Sequence, residues 1–349
     1  MQRPAPPNDE ADMYGCGVRG IDSASARPIA VAACVVCDAR EARPRFSIEG
    51  SAMQVVVCEG CGLGRTYPPP SDAEIASFYP PAYYGHLGSK FRTPIELMVR
   101  AVGSRHLRFL AQGLPRGGRV LDVGCGRGVV LGALADRGFE AHGVEISEAA
   151  ARGADPRAQI RVVTDVADAG YPDAYFDAVI IWHVLEHLRD PAASLSAIHR
   201  MLKPGGRLVL AVPNFASLQA RWAGPAWFHL DLPRHLYHFP LPVLRRLLDR
   251  SGFEVVAAHH FSLRQNPFGW IQSWLNRAPG LPRNGLYTLL YERGAGEPAP
   301  FDARIRTRLI AGLAVGALPA LVLTLVETGL RSGGTVHVVC RRRSAARLR

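Results

Sequence analysis

The sequence predicts an α/β protein: a doubly wound, mostly parallel sheet of seven strands, with a small cysteine-rich module before it and a helical insertion ahead of its last strand. Three observations carry that expectation. Short apolar runs alternate with helical patterns between residues 118 and 262, as parallel strands joined by crossover helices require. The first of these runs ends in a glycine-rich turn, Gly124-Cys125-Gly126-Arg127-Gly128. Upstream stand two closely spaced cysteine pairs, Cys34-x-x-Cys37 and Cys58-x-x-Cys61.

The chain of 349 residues fits one large domain plus an accessory module. Its net charge of +11 rests on arginine, since Lys90 and Lys203 are the only lysines. Alongside abundant Ala, Gly and Pro, this reads as the bias of a GC-rich genome, not as the footprint of a nucleic-acid binder. The seven cysteines are an odd set, and no basic and apolar leader precedes them. Both features predict a reducing, cytoplasmic setting.

Residues 1–28 are polar and Pro-rich and are expected to be a disordered tail. Residues 29–66 hold the cysteine pairs around a hairpin, with strands at 46–49 and 54–57. A Tyr/Pro-rich linker over 67–114 ends in a helix at 95–110. The sheet domain covers 115–263, with strands at 119–123, 140–144, 160–163, 176–181, 207–212 and 254–259. Helices follow the first strand at 129–137 and precede the sixth at 241–251. Residues 264–333 form the insertion, and 334–349 supply the last strand, at 335–340, and a basic tail.

The glycine turn decides the chemistry. Dinucleotide binders use Gly-x-Gly-x-x-Gly, but the third position here is Val129. Gly124, Gly126 and Gly128 alternate instead, and Asp122 stands two residues before the first. Glu145 ends the second strand, where a carboxylate accepts hydrogen bonds from ribose hydroxyls. Asp165 follows the third strand, and Trp182-His183-Val184-Leu185-Glu186-His187-Leu188 follows the fourth. Leu202-Lys203-Pro204-Gly205-Gly206 forms the turn before the fifth.

In this order the motifs resemble those of the class I S-adenosylmethionine-dependent methyltransferases, whose sheet is Rossmann-like. The resemblance implies S-adenosyl-L-methionine as cofactor. It places Asp122, Gly124, Cys125, Gly126 and Gly128 against the methionine part, Glu145 at the ribose and Asp165 at the adenine amine, with Ile146, Val166 and Trp182 also among the cofactor-binding residues. The Leu185-Glu186-His187 region is similar to quinone O-methyltransferases.

Cys34, Cys37, Cys58 and Cys61 have the spacing of a structural zinc ribbon. Each pair places two thiolates on one turn, and four protein ligands leave no open position for chemistry. Gly60 and Gly62 bracket the last cysteine, as a tight knuckle requires. Cys125 and Cys340 are expected to be buried bystanders to metal binding. A ribbon ahead of such a core resembles bacterial methyltransferases acting on sugars, lipids or secondary metabolites.

Ligands enter α/β sheets at the carboxyl ends of the strands. The loop after the fifth strand, rich in aromatics and imidazoles from Trp222 to Phe239, is therefore the expected acceptor wall. His235 and His238 are the first candidate bases for transfer to oxygen, with His183 and His187 behind them. Each also has a structural reading, Glu186 or His187 as a helix cap and His238 as packing beneath the next helix. Arg234 is a candidate for holding an anionic acceptor.

The insertion contains 309–326, a run without charge flanked by Arg306, Arg308 and Arg331. It is long enough to raise a membrane crossing, but a last strand inserted into the same sheet forbids a single pass, and Pro319 favours a kink or re-entrant hairpin. With Phe268, Trp270 and Trp274 nearby, 264–333 is expected to dip into one leaflet, on the inner face of the cell membrane, or to cap the substrate pocket; a buried helical subdomain or a dimer interface is the alternative. The expected function is O-methylation of a small-molecule, lipid or lipid-linked glycan acceptor. A zinc-ribbon scaffold that only senses the cofactor and a nucleic-acid methyltransferase are the alternatives. Nucleic acid is not expected among the partners, because no Asn/Asp-Pro-Pro-Tyr signature follows the fourth strand.

Overall fold

A computed structural model describes residues 17–22, 25–79, 114–291 and 300–343. The expected helix at 95–110, Cys16 and most of the linker lie outside them. Two sheets organise the rest. The first contains β1 (Val18–Gly20), β2 (Ile29–Ala30), β3 (Glu41–Ile48), β4 (Gln54–Cys58) and β5 (Gly64–Tyr67), and α1 (Asp72–Ser77) follows it. Residues 18–20, expected in a disordered tail, instead pair antiparallel with β3, Val18 opposite Ile48 and Gly20 opposite Phe46. The free edge of a hairpin offers unpaired donors and acceptors, and a short polar segment is enough to take them up.

The second sheet is built by β6 (Arg119–Val123), β7 (Glu140–Glu145), β8 (Gln159–Val162), β9 (Phe176–Trp182), β10 (Leu202–Pro213), β12 (Phe253–His259) and β13 (Thr335–Arg342), after the short β11 (Tyr237–His238) has joined the first sheet. Its seven strands run in the order β12-β13-β10-β9-β6-β7-β8. All neighbours are parallel except at β13, which lies antiparallel between β10 and β12. The strands buried on both faces read as unbroken apolar runs, such as Val179, Ile180 and Ile181. Helices α2 (Val129–Ala135), α3 (Glu148–Ala151), α4 (Pro191–Met201), α5 (Leu218–Ala223) and α6 (Leu241–Arg250) follow strands β6, β7, β9, β10 and β11 in turn.

The insertion folds as α7 (Asn266–Arg277), α8 (Gly285–Leu290) and α9 (Ala303–Gly329). Pro319 does not break α9 into a hairpin. It removes one backbone donor, and the carbonyl deprived of it is that of Val315, on the exposed side. Gly312, Gly316, Ala320 and Thr324 recur every fourth residue and are buried. They bring α9 close to α7: a Cβ on Gly312 would sit 2.5 Å from Leu275 Cδ2. The opposite face is not the buried subdomain considered from sequence. Val315, Leu318 and Leu325 are 68%, 71% and 63% exposed.

Candidate active site

The cofactor end is built locally. β6 carries the buried Asp122 to the carboxyl edge of the sheet, and the chain turns there through Gly124, whose φ is +71°. A Cβ at Gly124 would also lie 2.4 Å from Val184 Cγ2, so only glycine lets the turn and the segment after β9 meet. Glu145, at the end of β7, accepts from the Gly126 N–H at 2.8 Å through one oxygen. Its other oxygen accepts from the N–H groups of Ile146 and Ser147 at 2.9 and 3.0 Å. Burial, reinforced by the Glu145 carboxylate, pushes Asp122 up to about 7. Among the described residues, and leaving out its chain neighbours, no atom lies within 4 Å of where a Gly126 Cβ would stand.

Neighbouring groups line the same edge. Ile146 is 55% exposed and Val166 is buried. Asp165 caps the short turn after β8 by accepting from the Ala167 N–H at 2.8 Å. Trp182 ends β9 and lies against His337 of β13, ring centroids 4.8 Å apart. The Cys125 thiol is buried and held well above its usual value by that burial, with Asp122 and Glu145 adding to it.

The histidine-rich end, the expected acceptor wall, is assembled from distant pieces. A short turn after β9 carries the buried Glu186, and the loop from α5 to β11 carries His229, Asp231, Arg234, His235 and His238. His183, at φ +52°, points Nδ1 at Glu186 Oε1, 3.3 Å away. The rings of His187 and His235 meet edge to face at 4.6 Å between centroids. His235 Nδ1 donates to the His229 carbonyl at 3.0 Å, and His187 Nδ1 stands 3.1 Å from the Arg234 carbonyl and 2.8 Å from the Tyr79 hydroxyl. Burial lowers His183, His229 and His238 to about 3, so these imidazoles are neutral at pH 7. Burial opposes ionisation of Asp231, and Arg234 overcomes it, holding the carboxyl well below the usual range.

Three sequence readings change here. Arg234 is buried and tied to Asp231, its Nε donating to Oδ2 at 3.1 Å, so it is turned inward and not toward an incoming anion. Neither Glu186 nor His187 caps the following helix. Asp190 does, accepting from Ala192 and Ala193. His238 does not sit beneath α6 but in β11, opposite Gly64 of β5 and 5.3 Å from the Phe215 ring. Tyr79, Thr66, His229 and Asp231 were not singled out from sequence. Asp231 and His229 stood inside the acceptor loop, but nothing in the sequence pointed to Thr66 or Tyr79.

The ribbon explains that gap. Cys34 and Cys61 sulfurs lie 3.6 Å apart and Cys37 and Cys58 sulfurs 3.5 Å apart, and the four close on one another within 4.8 Å. A tetrahedral zinc ion bonded at about 2.3 Å to each sulfur sets sulfur–sulfur edges near ~3.8 Å, so the donor set fits. A Cβ at Gly60 would sit 3.0 Å from Cys37 Sγ, which fixes glycine in the knuckle. The tetrad shares one apolar cluster with Phe239, Val243, Leu244 and Leu247 of the larger domain. β5 pairs with β11, and Thr66 donates from its hydroxyl to the His235 carbonyl at 2.8 Å. The ribbon thus forms the back of the histidine loop.

Residues 96–258 match the family model described as a methyltransferase domain. The chain carries a class I methyltransferase domain. The ubiquinone biosynthesis O-methyltransferase of Alkalilimnicola ehrlichii is 38% identical over 107 residues, 28% of this chain and 42% of that protein. A probable S-adenosylmethionine-dependent methyltransferase of Mycolicibacterium smegmatis is 33% identical over 139 residues, 39% of this chain and 52% of that one. The chain spans about half the length of the curated relatives it matches. Among solved structures, a methyltransferase from Archaeoglobus fulgidus overlaps 69% of this chain and 94% of its own at 19% identity and a TM-score of 0.44.

S-adenosylmethionine fits the methyltransferase domain at the edge just described. Gly126 meets no described atom where a Cβ would stand, and the Glu145 carboxylate, which already accepts from backbone N–H groups, has the chemistry to accept from ribose hydroxyls as well. The glycine loop, the turn carrying Glu186 and the histidine loop all stand at the carboxyl ends of β6, β9 and β10, where ligands enter such sheets.

Proposed function

We propose that the protein is an S-adenosylmethionine-dependent O-methyltransferase acting on a small-molecule or lipid-linked acceptor. The observation that supports this most is the contact of Val184 with Gly124, which sets the glycine loop beside the histidine-rich acceptor end. When bound, the cofactor supplies an electrophilic methyl group on a sulfonium. Glu145 takes the ribose hydroxyls, Asp165 the adenine amine, and Asp122 opposes the cofactor's positive charge. Ile146, Val166, Cys125 and Trp182 shape the slot around it. His235, His238, His183 and His187 hold the acceptor hydroxyl in line with the methyl group, and alignment alone contributes several orders of magnitude. The relatives named O-methyltransferases support oxygen as the methylated atom. Zinc in the cysteine tetrad serves to keep the ribbon folded.

Isothermal calorimetry tests the cofactor site. Micromolar binding of S-adenosylmethionine, weakened tenfold or more (about 1.4 kcal/mol) by Glu145→Ala and by Asp122→Ala, is the expected result. A folded wild-type chain that binds none refutes the reading.

The insertion is proposed as a peripheral membrane contact. α9 is long and apolar enough to cross a bilayer, and only 28% of its apolar window is buried. β13 returns into the same sheet, so the helix lies along a surface without passing through it. Exposed Arg304, Arg308 and Arg331 stand at its ends, and Trp222 and Trp274 line an open apolar groove between α5, α7 and α9. This is the mix that favours an anionic interface. Co-sedimentation with phosphatidylglycerol-containing liposomes, reduced by Leu318→Glu, is expected. A protein left in the supernatant at low salt contradicts it.

A further inference from the structure

We infer that Glu186, His187 and His235 form a second metal site, for a divalent ion with affinity for imidazole such as Co2+, Mn2+ or Zn2+, separate from the cysteine tetrad. One ligand atom from each of the three residues lies within 4.8 Å of the other two. His235 Nε2 stands 3.9 Å from Glu186 Oε1. Metal–nitrogen and metal–oxygen bonds of about 2.1 Å each let one ion join atoms up to ~4.2 Å apart. One ion therefore bonds both without moving either.

The imidazoles are already oriented for this. A carbonyl oxygen only accepts, so His235 Nδ1 carries the proton it gives to the His229 carbonyl; His187 Nδ1 lies 3.1 Å from the Arg234 carbonyl and 2.8 Å from the Tyr79 hydroxyl, and carries its proton when it donates to that carbonyl. His235 then keeps Nε2, the nitrogen that faces Glu186, as its lone-pair nitrogen, the tautomer that metal-bound histidines adopt when a carbonyl holds the other nitrogen, and His187 in the same tautomer has Nε2 free to bind. Glu186 adds an independent sign. It is 1% exposed, and its Oε2 has no hydrogen-bond partner among the described residues. A buried carboxylate oxygen without a donor is unfavourable; the imidazole of His235 faces the other oxygen, Oε1, and a cation held there lowers the cost of the charge shared by both oxygens. Asp231 Oδ2 lies 3.7 Å from His235 Nε2 but is engaged by Arg234, so it balances charge from outside the ion's own ligands.

Three protein ligands leave coordination positions open, the pattern of metal sites that act on substrate. The role of the ion rests on the methyl-transfer reading above. An acceptor hydroxyl on the ion loses its proton more readily, and the proton passes to water. The oxygen forms the new bond to the methyl carbon as the carbon–sulfur bond breaks, and that electron pair returns to sulfur, converting the sulfonium to a thioether.

The test titrates Co2+ alone into full-length protein whose tetrad has been loaded with zinc, followed by visible absorption and elemental analysis. One further equivalent per chain is expected, with d–d bands and no new thiolate charge-transfer band. His235→Gln and Glu186→Gln each weaken it by about tenfold or more, since even outer partners of metal ligands reach that size, and both retain the ribbon zinc. Absence of a second equivalent in wild type, or unchanged Co2+ affinity in His235→Gln, overturns the site; His235→Gln and the wild type decide if Glu186→Gln fails to fold in a thermal melt. S-adenosylmethionine calorimetry on the same samples separates the two readings. Co2+ binding without cofactor binding refutes the proposed activity and leaves the site standing, whereas cofactor binding without a second equivalent refutes the site alone.

Discussion

The two halves of the candidate site are built by opposite means. At the cofactor end, Asp122, Gly124, Gly126 and Gly128 belong to one strand, turn and helix, and Glu145 ends the strand paired beside them. At the acceptor end, Glu186, His235, Tyr79 and Thr66 come from four separate segments and meet only in the fold. One end is held by its own backbone, the other by the ribbon. The ribbon therefore supports the histidine-rich half, and disturbing either half alone separates the two.

The largest expected effect follows loss of the ribbon metal. Cys58→Ser should release the β5–β11 pairing and reduce acceptor turnover by about a thousandfold, or ~4 kcal/mol, measured as methyl transfer from labelled cofactor. A folded Cys58→Ser protein with wild-type turnover would show that the ribbon is a bystander.

Next comes the charge at the cofactor end. Asp122 has its folded value raised from 3.8 to about 7 by burial and by Glu145. A raised value favours the protonated folded state, so stability is full below pH 4 and lost as pH rises through 7. Asp122→Asn should therefore stabilise the cofactor-free protein by about 4 kcal/mol at pH 8, and the gain should vanish near pH 4. Thermal melts across that range decide it, and a gain independent of pH would remove the charge from the account.

The smallest effect sharpens the link between ribbon and loop. Thr66→Val deletes the buried hydroxyl that holds the His235 carbonyl. It should lower stability by about 1 kcal/mol and shift acceptor KM more than the affinity for cofactor.

The same contrast explains what the sequence made legible. All seven strands of the large sheet could be read within a few residues, because β6, β9 and β10 are short apolar runs bounded by Gly, Asp or Pro. The glycine loop and Glu145 were readable because local turn chemistry dictates them. The cysteine cluster was readable because paired cysteines declare their spacing. What was hidden depends on tertiary pairing. No periodicity signals that Tyr237 and His238 join a strand 170 residues earlier, opposite Arg65 and Gly64, since two-residue strands have no pattern of their own. Arg234 looked available in the chain and is spent on Asp231 in the fold. Pro319 looked like a break, yet α9 runs through it because the small residues every fourth position seat the helix on α7.

The most direct test of the separation is calorimetry of S-adenosylmethionine binding to Cys58→Ser. The account predicts an affinity within about threefold of wild type, ~0.7 kcal/mol, in a protein that has lost acceptor turnover. Loss of cofactor binding in a folded sample would contradict it, because the ribbon would then support both ends alike.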